Sequence, residues 1–101
     1  MMADIIDDNY SGTKQSFLDL LHEESTFDMK AFMDLCNYIR ALDSITINEL
    51  QKLHFIHYQI LRHLIYHFDI NDQYEISDLP QNYWDYIELI EATLCRLKPL
   101  P

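Results

Sequence analysis

The sequence predicts an all-α fold, a compact single domain of about four helices behind an acidic N-terminal leader. Three observations carry that expectation. Residues 47–68 form a long stretch with apolar side chains at helical spacing and a well-marked start. Three shorter segments repeat the same period. The chain holds one glycine and three prolines in 101 residues. Tight β-hairpin turns draw on glycine for positive φ, so an all-β fold with many hairpins is disfavoured. An apolar fraction of 49% with 13% aromatics supplies enough material for a single core and argues against a disordered chain.

Residues 1–12 read as a flexible acidic leader, and residues 13–101 as the single helical domain. Ser11 and Thr13 are candidate caps for a first helix over 14–24, whose short stripe is Phe17, Leu18, Leu20 and Leu21. Ser25 and Thr26 supply the next cap signal. A second helix over 27–42 sets Met29, Phe32, Leu35, Cys36, Ile39 and Leu42 on one face. Asp28 near its start and Arg40 near its end suit the helix dipole.

The third helix, 47–68, opens on a capping box. The Thr46 hydroxyl can accept from the first turn, Glu49 can reach back to the Thr46 amide, and Ile45 with Leu50 forms a hydrophobic staple. Leu53, Ile56, Ile60, Leu61, Leu64 and Phe68 make its main stripe. Phe55, Gln59, Arg62 and Tyr66 fall on the opposite side, flanked by Tyr58 and Ile65. A helix apolar on most of its circumference belongs at the centre of a bundle or against a partner.

In the link 69–79, Asn71-Asp72 marks a turn, and Ser77-Asp78 before Pro80 reads as a cap. Residues 74–76 have strand character but no evident pairing partner. The last helix, 80–97, aligns Tyr83, Trp84, Ile87, Ile90, Leu94 and Leu97. Pro99 and Pro101 stop it.

Composition narrows the function classes. A net charge of −10, with seven scattered Lys and Arg, disfavours direct nucleic-acid binding, because phosphate contacts need clustered cations. Glycine is too scarce for a dinucleotide-binding loop. No secretory signal or membrane span is legible, so a cytoplasmic protein is expected, with Cys36 and Cys95 as buried thiols.

Catalytic sets are also missing. Most serines sit at helix starts as caps, and adjacent acids such as Asp7-Asp8 and Glu23-Glu24 diverge by about 100° on a helix. No enzymatic activity and no cofactor is expected. The pairs His54/His57 and His63/His67 have chelating spacing but lie on opposite sides of their helix. Each would need carboxylates from elsewhere, with Asp19 and His22 as one supply. The simpler assignment is packed, metal-free histidines at an interface, where they could also respond to pH.

What composition favours is a small interaction protein that inhibits or modulates a basic protein partner. By charge and size alone, immunity proteins, antitoxins and nucleic-acid-mimicking inhibitors share this physical class. The expected contacts are Phe55, Tyr58, Arg62 and Tyr66, with Asp85, Glu88 and Glu91 as an electrostatic patch. The alternative is a dimeric helical regulator, paired through 47–68, that acts through DNA or a DNA-binding protein.

Overall fold

The computed structural model describes residues 5–13, 15–69, 71 and 75–99. Among them are five helices and no strand: α1 Ile5–Ser11, α2 Phe17–Glu23, α3 Met29–Arg40, α4 Ile47–Phe68 and α5 Tyr83–Cys95. All five contribute to one apolar cluster. α4 packs against α1, α2 and α5, while α3 sits on α1, α2 and α5.

The additional helix is α1, which occupies most of the expected flexible leader. Residues 1–4 lie outside the described part. Ile6 is fully enclosed, which gives the helix an apolar anchor. Asn9 is nearly as buried and bonds at both ends of its amide. Its Nδ2 donates to the Ile5 carbonyl at 2.9 Å, and its Oδ1 accepts from the Leu18 amide at 3.0 Å. The second bond satisfies a first-turn amide of α2 from another helix.

Gly12 then ends α1. Its φ of +67° is the left-handed conformation that L side chains avoid. The Gly12 amide bonds Asn9 O at 3.2 Å and the Thr13 amide bonds Asp8 O at 2.9 Å, the paired bonds of a Schellman cap.

α2 starts later than its sequence signals suggest. Ser16 caps it, accepting from the Asp19 amide, rather than Ser11 or Thr13. α3 is capped by Asp28, which accepts from the Ala31 amide at 2.9 Å, rather than by Ser25 or Thr26. Phe27, just before that cap, turns inward. With Phe17 and Phe32 it forms a three-ring cluster whose centroids lie 5.0–5.4 Å apart, and Tyr86 of α5 closes on Phe32 at 5.8 Å. Those edge-rich contacts tie α2, α3 and α5 together.

α4 has the predicted bounds. Thr46 accepts from the Glu49 amide at 3.2 Å, but the Glu49 carboxylate takes the Thr46 hydroxyl at 2.9 Å rather than the Thr46 amide. The buried stripe is Leu53, Ile56, Ile60, His63 and Leu64. Enclosure stops there. α4 packs on three of the other four helices, while Ile47, Tyr58, Ile65 and Phe68 stay exposed on its remaining surface.

Two pairs of chain segments are stitched by isolated parallel bridges. Phe27 N bonds Ser77 O at 2.9 Å, and Ser77 N bonds Ser25 O at 2.6 Å, so the segment after residue 74 does find a partner. Asp78, expected as part of a cap, instead adopts φ +60°, and Asn82 occupies the cap position of α5 without a side-chain bond to a backbone amide. Arg96, at the C-cap of α5, donates to Ile39 O at 2.9 Å and Arg40 O at 3.1 Å. It thereby ties the last turn of α3 to the end of α5.

Candidate functional site

The outer face of α5 combines an exposed aromatic ring with a row of carboxylates. Trp84, Glu88 and Glu91 are spaced four and three residues apart, which stacks them on one side of the helix, with Asp85 beside them. All four are exposed. Asp85 touches the Asn82 amide nitrogen at 3.4 Å. Glu91 Oε1 lies 3.4 Å from His57 Nε2, an ion pair only when that imidazole is protonated. Among the described residues, Lys52 pairs with Asp7 at 2.7 Å and Lys30 with Asp34 at 3.0 Å, both away from this face.

Trp84 also forms one wall of an apolar groove of about 580 Å³ between the last turns of α4 and the first turn of α5. Leu61, Leu64, Ile65, Phe68 and Tyr83 line the rest, with Asp69 at its end. The sequence pattern assigns Phe68 and Trp84 to core stripes. Both are instead more than half exposed. Among the described residues, no helix covers this groove.

The aromatic row expected on α4 is split. Phe55 is 41% exposed and meets Tyr10 of α1 edge-on at 5.1 Å. Tyr66 is half-buried; Arg62 donates to its hydroxyl at 2.5 Å and stacks over its ring. Tyr58 is exposed. Helical spacing puts Phe55, Arg62 and Tyr66 on the side of α4 away from His57, Leu61 and Phe68, the residues that face α5. The aromatic row and the acidic row therefore lie on different sides of the molecule.

The histidines also separate. His63 is buried. Its Nδ1 lies 2.6 Å from Gln59 O, and its Nε2 lies 3.3 Å from His22 Nδ1. A carbonyl only accepts, so His63 carries its proton on Nδ1, and His22 donates to Nε2. Burial holds the His63 imidazolium below its usual range, with His22 and Arg62 adding to that effect and the Gln59 carbonyl opposing it.

His67 points elsewhere, its Nδ1 accepting from the Ile76 amide at 2.9 Å. His22, Asp19 and His63 do line a common cleft under α1. Among the described residues, however, no three His, Cys, Asp or Glu side chains are placed to hold one metal ion.

The cysteines differ from the expected pair of buried thiols. Cys36 is fully enclosed, and burial pushes its thiol up to about 11. Cys95 ends α5 and is exposed, and both are free thiols. No helix among the described residues is long and apolar enough to cross a membrane. The chain matches no protein-family model, no curated protein and no solved structure in the comparisons made.

Proposed function

We propose that this protein is an acidic helical interaction module that binds, and so inhibits or modulates, a basic protein partner. The observation that carries the reading is the outer face of α5, where Trp84 stands at the head of the Glu88–Glu91 row with Asp85 alongside. Carboxylates speed the encounter with a cationic surface, and an exposed indole gives an arginine or lysine a face to stack on. The partner element that fits is a segment whose Arg and Lys side chains repeat at helical spacing.

Phe55, Arg62 and Tyr66 have no direct part in this contact. They lie on another side of α4, and Arg62 is itself a cation.

Trp84 is the sole tryptophan, so its emission reports directly on the site. A cationic amphipathic helical peptide should change that emission at low salt and lose affinity steeply as salt rises. The Glu88→Lys/Glu91→Lys double variant should bind the same peptide at least about tenfold more weakly. Equal binding by the double variant, or binding indifferent to salt, would overturn the proposal.

A further inference from the structure

We propose that the open face of α4 is the seam of a twofold, antiparallel homodimer. Ile47, Tyr58, Leu61, Ile65 and Phe68 lie on one line of that helix. With His54 included, the steps from Ile47 are seven, four, three, four and three, the rhythm of a helix-pairing stripe. Ile47 is 57% exposed, Tyr58 58%, Ile65 66% and Phe68 53%, while Leu61 is partly buried against the core and His54 is polar, so the line is exposed at both ends and most apolar over its C-terminal half. The buried stripe of α4 is already used within the chain, and this line runs beside it, with Leu61 and Phe68 shared with the groove against α5.

Charge selects a second copy over a basic partner for this face. Of the 17 acids in the chain, α4 holds only Glu49, whose carboxylate is engaged by the Thr46 hydroxyl. The remaining charges on α4 are Lys52 and Arg62 with four histidines. Two α4 helices can therefore approach without bringing acidic rows together, even in a chain of net charge −10. A basic segment would find no carboxylate row here.

Shape fixes the orientation. Ile47 projects at the N-terminal end of the stripe, and the apolar groove of Ile65, Phe68 and Trp84 opens at the C-terminal end. Knob and groove are separated by 21 positions, about 32 Å along the helix at 1.5 Å per residue. In an antiparallel pair each Ile47 reaches the other chain's groove, so one self-complementary surface fills both grooves. A parallel pair would set Ile47 against Ile47 and leave both grooves empty.

The test uses the full chain in sedimentation equilibrium across a concentration series. The expected result is a monomer–dimer equilibrium reaching twice the 12.1 kDa chain mass. Ile65→Glu, at an exposed site whose folding is checked by circular dichroism, should weaken dimerisation by about tenfold or more. In a Cys95→Ser background, oxidation of Ile47→Cys/Phe68→Cys should give a covalent dimer, whereas Ile47→Cys alone should not.

A monomer at every concentration, a dimer unaffected by Ile65→Glu, or efficient cross-linking of Ile47→Cys alone would overturn the proposal. The two proposals share Trp84, which walls the groove and heads the acidic row, and their variants tell them apart. Ile65→Glu leaves Glu88 and Glu91 in place, and Glu88→Lys/Glu91→Lys leaves the α4 line intact.

Discussion

At the scale of single residues, two positions carry more than their size suggests. Gly12 is the sole glycine, and it sits where the chain must turn left-handed to close the Schellman cap of α1. Nothing lies within 4 Å of the place a Cβ would take, so the cost of a side chain there is conformational rather than steric. Gly12→Ala should lower stability by about 1–2 kcal/mol, read as a shifted urea midpoint at unchanged slope.

His63 sets the second expectation. Its folded-state affinity for a proton lies below the ordinary value of 6.5, because the buried ring resists charge. A proton added at Nε2 would also face the His22 N–H. The unfolded chain binds that proton and the folded chain does not. Stability is therefore complete above about pH 6.5 and falls as the pH drops toward the folded-state value. Denaturant titrations from pH 7 downward should show that decline, and His63→Gln should flatten it. An equal slope in the variant would assign the effect to other groups.

At the scale of elements, legibility followed local signal strength. α4 could be read to its ends because Thr46 and Glu49 mark its start and its pattern runs for six turns. α1 escaped because seven residues offer too few periods for an apolar stripe, and its burial rests on Ile6 and Asn9. Asn9 is polar, and only a tertiary bond to Leu18 explains why it is inside. The Ser11-Gly12 pair was the available clue, a helix stop that reads equally well as the end of a loose leader.

The start of α5 slipped by three residues because Ser77 joined a bridge to the loop before α3, which no local pattern announces. If α1 is part of the cooperative fold, Ile6→Ala should cost about 2–5 kcal/mol, as for other enclosed aliphatic side chains. A loss under about 0.5 kcal/mol would return residues 5–11 to the status of a leader.

At the scale of the whole molecule, the acidic row of α5 and the exposed apolar line of α4 lie on different surfaces, and Trp84 stands where they meet. Composition showed that the chain was acidic and aromatic-rich, and it could name Asp85, Glu88 and Glu91 as a row. Composition could not show that Phe55 would lean on Tyr10, that Arg62 would be held by Tyr66, or that Phe68 and Trp84 would stay open. Those outcomes depend on where α1 and α5 dock, and docking is a long-range property of the chain.

In the proposed dimer, each chain turns its α4 line inward and keeps its own acidic α5 row on the outside. Two such rows in one particle would favour a partner with repeated basic segments, since a second contact forms at raised local concentration.

The most direct measurement is an amide chemical-shift map of the 101-residue chain titrated with the cationic helical peptide. Shifts centred on residues 84–91, and removed by Glu88→Lys/Glu91→Lys, are the predicted result. A map centred on Phe55, Arg62 and Tyr66, or a titration that moves no amide, would contradict the account.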